Sequence, residues 1–531
     1  MPGGIRGWAL LFAFAFLQPA YGVVITGMEW QVLYNLPDQS SSSGFSDDEF
    51  RLKLHLVERL AALGSNDVAT LATYTFSGNE SGAGRYLYEM DRALARGAWI
   101  RMIADSEVNA ATTYSNNEDA QGRSLNQLAA TYPARFTYVE DDSVYGIHHN
   151  KLGLFDYRPS GAGGTRCFVS SFNLTGASSF QWNIAVDLPD PDLYDAYLLE
   201  AESLLAGHFH DDPAKSHAAD QSPFVVDGYY LNRVRFSPSP DPSDGGTNTA
   251  AEVVSLVNAA RTSIVFAINH LTLESVQQAL VAAADRGVVI HGTIPGSSSK
   301  PGGISEEAYR FLTNATHYAG TNVVQFHTAY AKADRTMVDD GSIGDLLHAK
   351  YMVIDRLTVI HGSMNWTYSA MQDDDQNDEN MLILRHPGIA RAFLEQYEAL
   401  TGWPAAAELP AAPADYGQWK LAHDVATQTD ESDQDGDGLT LWQEYAFAED
   451  PHTARGVGGI VSQSGSSGFD VLYPATRTQI TYRAEAASAL SPSPNWSTNQ
   501  VLWFHTHGRL RVQLTDPSAD LRFIRVRADG L

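Results

Sequence analysis

The stretch His149-Asn150-Lys151-Leu152-Gly153-Leu154-Phe155-Asp156 sets a lysine two residues after a histidine and an aspartate five residues after that lysine. The chain spells the pattern again as His348-Ala349-Lys350-Tyr351-Met352-Val353-Ile354-Asp355. Each copy leads into a small-residue turn ending in asparagine, Ser170-Ser171-Phe172-Asn173 and Gly362-Ser363-Met364-Asn365. A single match of this kind arises readily by chance. Two copies with the same sequel point to one site assembled from two related segments.

The flanking sequence repeats as well. Glu49 to Leu63 and Ala250 to Ala260 carry helical apolar spacing, and each leads into a strand-like run, Val68 to Phe76 and Ser263 to Ile268. A second helix follows in each half, Tyr86 to Ala95 and Leu273 to Ala284. Arg96-Gly97 and Arg286-Gly287 then stop the helix and start a strand, glycine after the last helical residue being a usual helix terminus. From Arg96 to His149 is 53 residues and from Arg286 to His348 is 62, so the repeat covers whole domains. Alternating helices and strands predict α/β layers around a mostly parallel or mixed sheet.

Histidine and lysine two apart on a strand point to one face and reach one pocket. Asp156 and Asp355, five further on, face the other way and are read as structural. The small-residue turns bring Asn173 and Asn365 to the pocket as amide donors. Together the two sets supply two histidines, two lysines and two asparagines. Lys151, Lys350 and the asparagines suit non-bridging phosphate oxygens and the charge of a transition state. One neutral histidine can attack phosphorus while the other, protonated, gives a proton to the leaving oxygen. Histidine suits both tasks because its ordinary pKa of about 6.5 lies near neutrality. No cofactor is expected for catalysis, since the lysines carry the positive charge.

The double motif resembles the phospholipase D superfamily, across roughly residues 23–402. The resemblance implies two similar α/β-layer domains packed around one composite active site, a phosphohistidine intermediate, His149 as nucleophile and His348 as acid and base. It also implies supporting roles for Ser171, Ser363 and Glu379. The second half matches the family pattern more closely. In the first, Ser170 stands where glycine is usual, and the step from Asp156 to Ser170 is 14 residues against 7 from Asp355 to Gly362. Aligned on Asn183 and Asn380, Trp182 falls opposite Glu379, which leaves the first half without the supporting glutamate.

The chain has 531 residues, 44% hydrophobic and 18% charged, which places it among globular multidomain proteins. Its formal charge of −28 repels polyanions at long range and counts against broad nucleic-acid binding. Arg6, the apolar run Trp8 to Leu17 and Ala20-Tyr21-Gly22 predict a cleaved signal peptide over residues 1–22 and export, in a bacterial setting. No later run is long enough to span a bilayer. Cys167 is the sole cysteine, so no intramolecular disulfide forms.

The expected order is a first phospholipase D-like domain (23–215), a second (225–402), a linker (403–429), a calcium segment (430–455) and a small all-β module (458–531). Asp433, Asp435, Asp437, Gly438 and Glu444 occupy positions 1, 3, 5, 6 and 12 of an EF-hand or dockerin-like calcium loop, in which Leu439 would lend its carbonyl. The calcium is expected to be structural. His210 and His217 flank an acidic stretch that offers metal ligands but is better read as a solvated linker, and Asp373-Asp374-Asp375 reads as an exposed insertion.

For substrate, a phospholipid headgroup phosphodiester at a membrane surface suits export and the acidic surface, and Trp182 and Trp366 are expected to line an amphipathic pocket. The alternatives are an endonuclease of the same superfamily, acting on DNA or RNA, and a non-catalytic surface protein on a decayed enzyme fold.

Overall fold

The structure, a computed structural model, describes residues 23–26, 30–37, 51–79, 82–142, 146–210, 212, 215, 224–226, 229–238, 249–313, 324–327, 346–371 and 377–409, single positions between 420 and 441, and strand backbones between 460 and 529. Residues 1–22, His217, Asp373-Asp374-Asp375 and the calcium-loop positions Asp433, Asp435, Asp437, Leu439 and Glu444 lie outside the described residues.

Two eight-stranded sheets share one strand order. The first runs Val23–Thr26, Gln31–Tyr34, Ile184–Leu188, Thr165–Ser170, Leu152–Asp156, Val68–Thr73, Trp99–Ala104 and Phe136–Glu140. The second runs Phe224–Val226, Tyr229–Ser237, Glu379–Arg385, Thr358–Gly362, Lys350–Ile354, Ser263–Ile268, Val289–Thr293 and Gln325–Phe326. Each strand of one sheet has a counterpart at the same place in the other. The pairing sense matches too: the last two junctions of each sheet are parallel and the others antiparallel. The sheets are therefore mixed, and the duplication seen around the motifs extends to the whole topology.

The helices follow from the apolar spacing. Arg51–Ala61 and Thr249–Ala259 precede the central strands, and Ala83–Ala95 and Glu274–Asp285 follow them. Gly97 and Gly287 adopt φ of +98° and +91°, the left-handed turn that ends each second helix and frees the chain to enter the next strand. Central strands such as Ser263–Ile268 are buried along their whole length, as a sheet covered on both faces requires.

Three apolar clusters form the core. One belongs to each sheet and its own helices. The third mixes both sheets, with Val169 and Val186 of the first in one cluster with Tyr351, Val353 and Leu382 of the second and Phe393 of the helix Pro387–Thr401. Fully burying a side chain of this size contributes about 1.5–3 kcal/mol, so this shared layer fixes one sheet against the other. It does so beside the motif strands Leu152–Asp156 and Lys350–Ile354. Beyond residue 458, the described strands Ile460–Gln463, Phe469–Pro474, Arg509–Leu514 and Val501–Thr506 form one antiparallel sheet, and Thr481–Ala487 pairs with Phe523–Asp529. Among the described residues no helix is long and apolar enough to cross a membrane.

Candidate active site

The motifs meet where each enters its sheet. His149 and Lys151 precede the strand Leu152–Asp156, and Lys350 opens the strand Lys350–Ile354, so the histidines are not strand residues of their own sheets. They pair with the opposite half. His149 N–H donates to Asp378 O at 2.9 Å and Asp378 N–H to Ile147 O at 3.0 Å. In mirrored fashion His348 N–H donates to Trp182 O at 3.1 Å and Trp182 N–H to Leu346 O at 3.0 Å. These crossed bridges run parallel, His148 with Asp378 and Leu347 with Trp182. The lysines stay near their own histidines: Lys151 Nζ donates to His149 O and Lys350 Nζ to His348 O, each at 2.7 Å.

The histidine rings are also held across the halves. His149 Nδ1 lies 2.7 Å from Glu379 Oε1, and Ser363 Oγ donates to Glu379 Oε2 at 2.6 Å. His348 Nδ1 faces two neutral acceptors, Ser171 O at 3.0 Å and Asn183 Oδ1 at 3.1 Å, while Ser171 Oγ donates to Asn183 Oδ1 at 2.9 Å. Thus Asn183, not Trp182, stands opposite Glu379. Strand register agrees, since Ser170 pairs with Ala185 as Gly362 pairs with Met381. Aligning one asparagine on the other misplaced the partner by one residue, which on a strand flips the side chain to the other face. A second asparagine correspondence at Asn380 invited the slip. Asn380 in fact bridges the halves, with Nδ2 donating to Asn150 Oδ1 at 2.8 Å.

Burial dominates the electrostatics. It pushes His149 and His348 well below the ordinary histidine value, and the neighbouring Lys151 and Lys350 ammoniums push the same way. Burial lowers Lys151 to about 7, partly opposed by Glu379 and Asp105, and drives Lys350 well down, with Lys151 adding to the effect. Glu379 is raised to about 8 by burial, against the pull of Lys151, Ser363 and Lys350. Two lysines buried side by side favour any arrangement that brings in an anion. Asn173 and Asn365 each bury a side-chain amide oxygen with no hydrogen-bond partner among the described residues.

Tyr74 completes one wall. Its ring meets His149 edge-on at 5.3 Å, and Lys151 Nζ lies 5.5 Å from its centre. His270 lies near the two motifs as well, lowered to about 4 by burial and by Lys350, with Nδ1 3.0 Å from Ser298 Oγ. Neither Tyr74 nor His270 was found from sequence; both stand just past the strands Val68–Thr73 and Ser263–Ile268, at the end where the motifs enter.

The motif aspartates sit apart from the motif histidines and lysines and differ from each other. Asp355 accepts from the backbone N–H groups of Arg261, Thr262 and Ser263 and from Thr262 Oγ1, pinning the start of the neighbouring strand. Asp156 is paired with Arg158 at 2.9 Å. Gly362 has a φ of +154°, and a Cβ there would lie 2.2 Å from Asn380 O. Ser170 occupies ordinary strand backbone and donates its hydroxyl to Lys151 O at 3.2 Å.

Two expectations are overturned. Trp182 and Trp366 do not line a pocket: they are 4% and 2% exposed and belong to the apolar cores, Trp366 packing against Phe266. His210 is not in a solvated linker either. It is 3% exposed and held by Asp141 and Asp378, because the joint between the halves dives under the motif.

Residues 253–401 match the family model described as "Cardiolipin synthase, PLD-like domain", and the chain carries a PLD-like domain there. Among known relatives, the mitochondrial cardiolipin hydrolase of Danio rerio is 26% identical over 194 residues, covering 36% of this chain and 74% of that protein. The Mus musculus protein of the same name is 39% identical over 54 residues, 10% of this chain and 23% of its own length. Among solved structures, the phospholipase D family member Nuc of Salmonella typhimurium is 25% identical with a TM-score of 0.24, covering 32% of this chain and 91% of its own. Phosphatidylserine synthase of Haemophilus influenzae Rd KW20 is 12% identical with a TM-score of 0.47, covering 74% and 95%.

Proposed function

We propose that this chain is an exported phosphodiesterase of the phospholipase D type that hydrolyses phospholipid headgroups through a phosphohistidine on His149. One observation carries the reading: two histidines, His149 buried and His348 half-buried, each with Nδ1 held by a group from the opposite half, share a site with two buried lysines. With Nδ1–H donated to the Glu379 carboxylate, His149 keeps its Nε2 lone pair for phosphorus, which is why it is the nucleophile. Lys151, Lys350, Asn173 and Asn365 take the non-bridging oxygens. His348, which gains its proton once the bound anion offsets the lysines, protonates the leaving alcohol as the P–O bond breaks. Its Nε2 then takes a proton from the water that attacks phosphorus, and the P–N bond breaks.

The match to a cardiolipin synthase PLD-like domain, the names of the relatives and the acidic charge of −28 support a lipid substrate over a nucleic acid. Asp433, Asp435, Asp437, Leu439 and Glu444 are proposed to hold a structural calcium ion, and loss of calcium-45 binding in Glu444→Gln tests that assignment. The function is tested by giving purified protein cardiolipin and phosphatidylcholine vesicles, single-stranded DNA and a generic aryl phosphodiester. Headgroup release without DNA cleavage is expected, together with an acid-labile phosphoryl adduct on a peptide containing His149. DNA nicking without lipid turnover would replace the lipid reading, and turnover surviving in both His149→Ala and His348→Ala would remove the mechanism.

A further inference from the structure

Behind the His149–Glu379 pair lies a second buried cluster that the phosphodiesterase chemistry does not use. His148, the residue before the nucleophile, is fully buried, and neither ring nitrogen has a hydrogen-bond partner among the described residues. Its Nδ1 is 4.0 Å from Asp378 Oδ2, which is buried and also lacks a hydrogen-bond partner among them. His210 brings Nδ1 to 3.3 Å from the same oxygen. The other His210 nitrogen, Nε2, lies 2.7 Å from Asp141 Oδ2. Asp141, His210 and Asp378 each present a ligand atom within 4.8 Å of the others.

We propose that His148, His210 and Asp378 bind a first-row divalent cation of the zinc class, with Asp141 orienting His210 from behind. Two imidazole nitrogens and a carboxylate oxygen are a borderline donor set that suits zinc, cobalt or nickel. Ligand atoms in a tetrahedral zinc site lie about 3.3–3.5 Å apart, given bonds near 2.0–2.2 Å. The His210–Asp378 separation is already in that range, and His148 Nδ1 stands 4.0 Å from the same carboxylate oxygen. A carboxylate on the far nitrogen of a ligating histidine is the usual device for presenting the near one as a lone pair. Here Asp141 supplies it.

Charge balance favours a dication over a proton. Lys215 occupies the opposite oxygen, Asp378 Oδ1, and also pairs with Glu200 at 3.0 Å. Asp378 and Glu200 share the Lys215 ammonium, and the third buried carboxylate, Asp141, pairs with His210. With His210 neutral, two negative charges remain, which a dication cancels and one proton halves. The cation also explains two unpartnered polar atoms in one dry place, which otherwise carry a desolvation cost. It would clip the inter-half joint to the backbone of the first motif.

The experiment uses the full chain without a polyhistidine tag, loaded with zinc or cobalt and passed through gel filtration. One equivalent of zinc per chain, bound identically in Glu444→Gln, and a visible tetrahedral ligand-field band from cobalt are expected. His210→Ala loses both, while His208→Ala, a half-exposed neighbour, keeps them. Asp141→Asn, which removes no ligand, weakens zinc roughly 10–100-fold against a competing chelator. Absence of stoichiometric zinc and of the cobalt band in the wild type, or their retention in His210→Ala, overturns the site.

Discussion

Glu379 on the second sheet reaches across to His149 before the first, Oε1 to Nδ1 at 2.7 Å, whereas His348 meets only the neutral oxygens of Ser171 and Asn183. The two halves are thus alike in topology and unlike in electrostatics. The histidine with a carboxylate partner is suited to attack, and the one with neutral partners to passing a proton.

Replacing that carboxylate separates orientation from charge. Above about pH 8, where Glu379 is ionised, Glu379→Gln preserves size but loses the anionic acceptor and frees the Nδ1–H tautomer, so kcat measured there is expected to fall roughly 10²–10³-fold with KM little changed. Glu379 titrates at about 8 in the folded chain, above its ordinary value, so its neutral form stabilises the fold at low pH and that contribution is lost as pH rises from about 4.5 through 8. Thermal unfolding should therefore favour the glutamine variant over wild type increasingly across that window. A constant difference in Tm would contradict the shift.

Asn183→Asp tests the asymmetry from the other side. A carboxylate about 3 Å from His348 Nδ1 raises that histidine's pKa, the charged form gaining an opposite charge. The alkaline limb of the kcat profile, where His348 loses its proton as acid, is expected to move upward. Nitrogen-15 NMR of the labelled histidines checks the same shift without substrate.

Lys151 should make anion binding pH-sensitive. Its ammonium is held at about 7, so it loses its proton above that value in the empty site. Affinity for inorganic tungstate, measured by calorimetry, is expected to weaken above about pH 7 at close to tenfold per unit, flattening only where the ammonium in the complex, stabilised by the bound anion, loses its own proton. Lys151→Met should bind weakly at every pH and show little slope.

The turn after the second motif is less tolerant than that after the first. Gly362→Ala places a Cβ against Asn380 O at a backbone angle side chains avoid, and a loss of about 2–4 kcal/mol is expected by denaturant titration. Ser170→Gly removes two hydroxyl hydrogen bonds, one donated to Lys151 O and one accepted from Phe172 N–H, and should cost only about 1–2 kcal/mol.

The double motif, the small-residue turns and the helix stops were legible because each depends on local chemistry at fixed spacing. Arg96-Gly97 and Arg286-Gly287 mark the turns into strands, and Ser263–Ile268 has the bounds its composition suggests. What sequence did not yield depends on contacts across the halves. Asn183 is a ring partner only because Trp182 pairs with Leu347, some 165 residues away, and no spacing rule reaches that far. His210 looks like part of a polar linker until the joint is seen to pass beneath Asp378. The tryptophans misled for the same reason: an aromatic beside a motif fills a core as readily as it lines a mouth.

The crossed holding of the histidines has an evolutionary consequence. Glu379 serves the first motif and Asn183 the second, so neither half can drift or be exchanged as an independent cassette. Selection on position 379 is selection on the chemistry of position 149, and epistasis in this chain is expected to run between halves more strongly than along either one.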